Sequence, residues 1–311
     1  MTDVSILMPA YNHERFISQA IESVLSQQTD FSYELLINDD CSTDRTREIA
    51  LSYAERFPDK ITVMFPQKNE GLMKSYGRLL SHASSPYIAI LESDDLWTDT
   101  HKLQKQLSFL ASHEEYGLCV SDYRTIDEAG AVIRSFQKTD DEGLDGNWYG
   151  KLLYGNFVCA ATIVFRRRDF ESSCVFSDFL ANGFMTFDLP LLLGVSSVSK
   201  CWYIHETTAS YRILASSISH NADYEKNRCF EESVYDIQKY AMEKYGTGSY
   251  SAEEIKKARV FSLMNKALVA RRREDFVRYA KEYRDESLKG FVINHFPTLF
   301  YAQHVARGIT S

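Results

Sequence analysis

The chain has 311 residues, 44% apolar and 25% charged, which suits a soluble globular protein with one large domain, or a domain of about 200 to 220 residues plus a smaller appendage. A formal net charge of −8 argues against a nucleic-acid partner, which would require a basic surface. Six cysteines without a CxxC pair point to free thiols, and no run approaches the roughly 18 apolar residues of a membrane span or the pattern of a signal peptide, so a cytoplasmic protein is expected.

In chain order, the apolar run Val4 to Pro9 reads as a first strand. Phe16, Ile17, Ala20, Ile21, Val24 and Leu25 then mark one face of a helix. Tyr33 to Asp39 reads as a second strand, followed by a helix for which Ser42 or Thr43 offers an N-cap and which ends before Pro58. A third strand spans Lys60 to Phe65, a third helix Leu72 to Ala83, and a fourth strand Pro86 to Leu91. The next helix turns Leu103, Leu107 and Leu110 inward, and "YGLCVSDY" is a fifth strand. Such βα repeats predict an α/β domain with a mostly parallel sheet covered on both faces. Ligands of these sheets bind beyond the carboxyl ends of the strands. Polar clusters stand at four of those ends: Ala10-Tyr11-Asn12, Asp39-Asp40, Asn69-Glu70-Gly71 and Glu92 to Asp95. Together they describe one shared cleft.

The fourth cluster, "ESDD", sets three carboxylates within four residues at the end of an apolar strand. A solvated turn would explain it, and so would a site for Mg²⁺ or Mn²⁺, whose preferred ligands are hard oxygens. Neither GxGxxG nor GxxxxGK[ST] occurs, so neither a dinucleotide fold nor a P-loop is supported.

From about 126 to 220 the pattern is less regular. "LDGNWYGKLLYGNF" reads as a loop entering a helical turn, "CAATIVFRR" as a strand, and "KCWYIHETTASYRI" as one or two strands. Asp188 stands just ahead of a helical apolar run, where it would serve as an N-cap. From about 224 the chain turns helical. "SAEE" (251 to 254) forms a capping box ahead of Phe261, Met264 and Leu268, and another helix follows from Glu274. The expected division is residues 1–222, with halves 1–125 and 126–222, and a helical region 223–311.

The segments "ILMPAYNHERFISQAIESVLSQ", "LLINDDCSTDRTREI", "NEGLMKSYGRLLSHASSPYIAILESDDLW" and "KLQKQLSFL" resemble glycosyltransferase family 2 in order and spacing. The resemblance is dense over about the first 125 residues and sparse beyond. It implies a GT-A fold with a C-terminal helical extension, and an inverting transfer of sugar from a nucleotide-diphosphate donor, with uracil or thymine as the base. Pro9, Tyr11 and Asn12 are similar to the loop contacting the nucleoside, and Asp40 to the aspartate accepting from the ring N–H of the base. Asn69 and Gly71 match the loop after the third strand. Where the family often has an Arg-Asn pair this chain has Tyr76 and Gly77, and Lys74 is one turn away to supply the cation. Glu92-Ser93-Asp94 occupies the DxD position: Glu92 and Ser93 are implied near the ribose, Asp94 as ligand of Mn²⁺ or Mg²⁺, and Asp95 as its helper. Asp188 falls where the family has Glu-Asp, the aspartate being the general base, with Phe187 in place of the glutamate. Arg212 resembles the Arg of a Tyr-Arg pair near the diphosphate, followed by Ser217, Ser219 or His220 over the donor; a structural arginine is the competing reading. The implied acceptor is a glycan or lipid-linked hydroxyl of bacterial polysaccharide or cell-envelope synthesis. A sugar nucleotidyltransferase and a non-catalytic interaction module are the competing readings.

Residues 256–289 hold eleven Lys and Arg against five Asp and Glu, ahead of the aromatic-rich stretch 290–308. This tail is expected either to dock peripherally on the inner face of the plasma membrane, or to pack on its own domain or in a homodimer contact.

Overall fold

A computed structural model describes residues 2–136, 146–214, 223–248 and 250–283. The chain divides into two compact units, Met1–Leu214 and Ala215–Ser311.

In the first unit, β1 (Val4–Ala10), β2 (Tyr33–Asp39), β3 (Ile61–Met64) and β4 (Tyr87–Ile90) alternate with α1 (Ile17–Leu25), α2 (Thr46–Arg56) and α3 (Leu72–His82). These four strands pair in parallel in the order β3-β2-β1-β4. Every residue of β1 is buried, as a central strand covered on both faces requires. α1 turns Ile17, Ala20, Ile21 and Val24 to the core, one face of a 3.6-residue period. The sheet continues through shorter and longer pieces: β5 (Leu96–Trp97), α4 (Lys102–Ser112), β6 (Tyr116–Ile126), β7 (Val132–Phe136), α5 (Tyr149–Tyr154), β8 (Val164–Arg166), α6 (Arg167–Ser173), α7 (Phe176–Ala181), α8 (Asp188–Val198) and β9 (Lys200–Arg212). β8 lies antiparallel between β4 and β6, β9 runs parallel to β6, and β5 closes the row antiparallel to β9. The sheet is thus parallel in its first half and mixed in its second.

Several boundaries differ from expectation. α2 begins at Thr46, not at a cap on Ser42 or Thr43; Asp44 accepts from the Thr46 N–H at 2.9 Å and from its hydroxyl at 2.6 Å. In "CAATIVFRR" only Val164–Arg166 is strand, because Ala160–Thr162 coils into a 3₁₀ turn. The stretch after Lys200 is one thirteen-residue strand, whose register against β6 shifts near Ser121 and Asp122.

In the second unit, α9 (Tyr224–Tyr245), α10 (Ala252–Val269) and α11 (Arg273–Glu282) follow one another. The capping box forms: the Ser251 hydroxyl accepts from the Glu254 N–H, and the Glu254 carboxylate accepts from the Ser251 N–H. Val260, Leu263, Met264, Phe276 and Tyr279 make its core. Among the described residues, four of the eleven Lys and Arg noted above are paired with acids. Arg259 and Lys266 both reach Glu231, Arg272 reaches Glu225, and Arg278 reaches Glu232 and Asp275. The aromatic stretch 290–308 and Ser217, Ser219 and His220 lie outside the described residues.

Candidate active site

The strand register brings the polar clusters to one level. Pro9 pairs with Asn38 and Ala10 with Asp39, so β1 and β2 end together. The ladder then continues past the strand ends: the Asp40 N–H donates to the Ala10 carbonyl at 2.8 Å, and the Ser93 N–H to the Pro9 carbonyl at 3.3 Å. The Asp40 carboxylate accepts from the backbone N–H of Glu70 (2.9 Å) and of Gly71 (2.7 Å). It therefore fixes the loop after β3, where Gly71 takes a positive φ of 91°. A carboxylate has about four lone-pair sites, so capacity for a further donor remains. Asp39, fully buried at its side chain, is held by Arg47 at 2.9 Å and by the Ser42 N–H at 3.1 Å. On the other side of the cleft Asn12, at φ 56°, accepts from the Thr43 N–H at 2.8 Å, and Tyr11 is 43% exposed.

The acidic turn after β4 is braced from beneath. The Asp95 carboxylate accepts from the Arg212 N–H at 2.8 Å, and its second oxygen is buried without a hydrogen-bond partner. The Ser93 hydroxyl lies 2.7 Å from His13 Nδ1, which is itself 3.8 Å from Asp94 Oδ1. The Tyr76 hydroxyl donates to Glu92 Oε1 at 3.3 Å. Burial, then the neighbouring Asp94 and Asp188 carboxylates, push the Glu92 carboxyl up to about 8. Burial also raises Asp94, partly offset by His13, and raises Asp95 well above the usual range, with Asp94 and Glu92 adding to it. Crowded, partly desolvated carboxylates of this kind are what a hard divalent cation relieves, and the Asp94 side chain keeps 13% exposure. Among the described residues no three His, Cys, Asp or Glu side chains converge as a closed cage, so an ion here would take one or two ligands from the chain.

Asp188 joins this group from α8, close enough to Glu92 to raise its carboxyl. It is the first helical residue rather than the expected N-cap, a position held by Phe187, whose side chain makes no capping bond. Its carboxylate instead accepts from the Thr186 hydroxyl and, at 3.1 Å, from the Asn156 amide. Burial raises the Asp188 carboxyl above its ordinary value, against the opposing pull of those donors. Cys159 lies on the same side; burial and then Asp95, Glu92 and Asp188 push its thiol well up.

Arg212 is committed to the protein. It is 1% exposed, and all three guanidinium nitrogens donate to protein acceptors: Nε to the Asp94 carbonyl at 2.9 Å, one terminal nitrogen to Asp127 and Glu128 carbonyls, the other to Gln19. Its face covers Phe16 at 4.6 Å. Lys74 sits on the exposed side of α3, whereas Arg78, one turn on, pairs with Glu70 at 2.7 Å and reaches Asn38. His13, Arg78, Asn156 and Cys159 were not singled out from the sequence. His13 and Arg78 stand inside segments that carry the resemblance, where a motif could have pointed to them; Asn156 and Cys159 do not.

The sequence model of glycosyl transferase family 2 matches residues 5–172. An uncharacterized protein of Mycobacterium tuberculosis is 33% identical over 231 residues, 73% of this chain and 64% of that protein. The Escherichia coli UDP-Glc:alpha-D-GlcNAc-diphosphoundecaprenol beta-1,3-glucosyltransferase WfgD is 39% identical over 107 residues, 34% of this chain and 40% of its own. The chain thus spans less than two thirds of the length of these relatives. Among solved structures, Staphylococcus aureus TarS residues 1–349 with UDP-GlcNAc superposes with a TM-score of 0.62 at 14% identity, over 90% of this chain and 80% of that one.

Proposed function

The chain belongs to glycosyltransferase family 2 and has its GT-A fold, and on that premise we propose that it is an inverting, metal-dependent transferase of sugar from a UDP-sugar. The observation that supports the proposal is that Tyr76 joins the acidic turn to the start of α8, its hydroxyl donating to Glu92 and its ring stacking on Phe187 beside Asp188. Pro9, Tyr11 and Asn12 border the nucleoside. Asp40, already holding the Asn69–Gly71 loop, accepts from the base. Glu92 and Ser93 lie toward the ribose, and Lys74 extends toward the diphosphate. Asp94, helped by Asp95, would hold Mn²⁺ or Mg²⁺, which when bound supplies charge stabilisation to the leaving diphosphate. Arg212 serves the donor site through the turn it braces rather than by touching phosphate. Asp188 takes the proton from the acceptor hydroxyl on the face opposite the leaving group, which inverts the anomeric centre. Burial raises its proton affinity, which suits a base acting near neutrality. The acceptor class follows the relative WfgD, whose name gives a diphosphoundecaprenol-linked sugar: a glycan hydroxyl on a lipid carrier. Such an acceptor would bring the protein to a membrane surface, although no helix among the described residues is long and apolar enough to cross one.

A thermal-shift screen of UDP, GDP, CDP and dTDP sugars, each with and without Mn²⁺, tests the donor site. Stabilisation by a UDP-sugar that requires Mn²⁺ and disappears in Asp94→Ala is expected. An equal shift in Asp94→Ala would overturn the metal assignment, and no shift with any nucleotide would overturn the function.

A further inference from the structure

We infer that Tyr76 is a positioning residue that ties the acidic turn to the start of α8, and so sets Glu92 and Asp188 relative to each other; the inference rests on Asp188 being the base. Tyr76 lies on α3, 2% exposed, and its two ends meet two segments far apart in the chain. Its ring stacks on Phe187 with centroids 4.3 Å apart and planes at 23°, and Phe187 immediately precedes Asp188. Its hydroxyl donates to Glu92 Oε1 at 3.3 Å, and among the described residues no other side chain donates to that carboxylate. Tyr76 and Phe187, two of the positions that depart from the family pattern, thus touch each other.

Packing alone does not account for the hydroxyl. A phenylalanine would fill the same space and keep the stack, whereas a buried phenol needs an acceptor, and here the acceptor is a carboxylate of the site. The stack also has a fixed frame. Phe187, 1% exposed, meets Phe170 edge-on at 5.9 Å and Phe176 at 6.0 Å, so with Tyr76 its ring is held on three sides. Beside it Gly77 leaves room for Phe176, since a Cβ there would come within 2.7 Å of that ring. The side chains that hold the Asp188 carboxylate, Thr186 and Asn156, both lie outside regular helix and strand. Loosening the Phe187 ring therefore turns the first residue of α8 and moves its carboxylate, while removing the Tyr76 hydroxyl frees Glu92 and leaves α8 in place.

The two halves of the tie separate kinetically. With the full chain, Mn²⁺ and its best UDP-sugar, Tyr76→Phe should raise the donor KM roughly 3- to 10-fold with kcat within about twofold, the scale of one net hydrogen bond. Phe187→Leu should lower kcat about 10-fold, as misplacement of a base does, with UDP affinity by calorimetry unchanged. Tyr76→Leu should show both effects, and serves for the second arm should Phe187→Leu not fold. Wild-type kcat and KM in Tyr76→Phe, or a loss of melting temperature alone in the stack variants, would make the cluster packing only and overturn the inference. Asp188→Asn measured alongside separates the two levels. Full turnover in that variant ends the reading of Asp188 as base, whereas its loss beside normal stack variants ends this inference alone. Should the wild type turn over no sugar nucleotide, the function fails, and UDP affinity of Tyr76→Phe still decides the Glu92 arm.

Discussion

At the scale of single residues the site is governed by carboxylates that resist ionisation. Asp188 must be charged to act as a base, so turnover should fall on the acid side at a pH above that of an ordinary carboxylate. Asn156 favours the charged form by donating to it, and Asn156→Ala should therefore move the acid limb of the kcat–pH profile further up. An unmoved limb would show that Asn156 does not act on the base. Glu92 works in the opposite sense for stability. Its folded-state carboxyl near 8 lies above the ordinary 4.5, so its contribution is fully present below pH 4.5 and is lost as pH rises through 8. In EDTA, Glu92→Gln should be more stable than wild type at pH 8, and the gain should vanish near pH 4.5; urea midpoints at the two pH values measure this. Asp94 and Asp188 were legible because they sit in spaced motifs. Arg212 was legible as a motif residue, but its acceptors come from α1, the β6–β7 turn and the acidic turn, which sequence order does not join. Asn156 and Cys159 occupy an aperiodic loop and left no signal.

Among elements, those with a strong period were readable and those fixed by tertiary contact were not. α1, α3 and α4 carry apolar faces, β1 is buried throughout, and β2 and β4 are buried beyond their first residues. β5 is two residues long and exists because Leu96 and Trp97 pair with Ser210 and Ala209. β7 exposes most of its residues and is held by pairing with β6. Ahead of β8, Gln106 ties the Ala160–Thr162 turn to β6 by donating to the Thr162 and Cys119 carbonyls, at 2.8 and 3.0 Å. Gly117, at the start of β6, shows such a contact in one residue: a Cβ there would collide with Ser199 and Asp169. Gly117→Ala should cost about 1–3 kcal/mol by overpacking, read as a lower urea midpoint. No change would mean that Ser199 and Asp169 move aside freely.

For the whole molecule, the expected mostly parallel sheet is half right in detail: β3-β2-β1-β4 is parallel, while β8 and β5 run against their neighbours. Alternating strand and helix signals cannot encode this, because an antiparallel insertion reads the same as another parallel strand. What the sequence did carry was the clustering of polar residues at four strand ends, and the register places those ends side by side. The account turns on Asp188 completing that cleft as the base. The most direct test measures UDP release and UDP affinity together in Asp188→Asn, with Mn²⁺, the preferred UDP-sugar and acceptor. Release should fall on the order of 10²-fold or more, the scale of a lost general base, with affinity unchanged. Release at the wild-type rate, or equal losses of rate and affinity, would contradict the account.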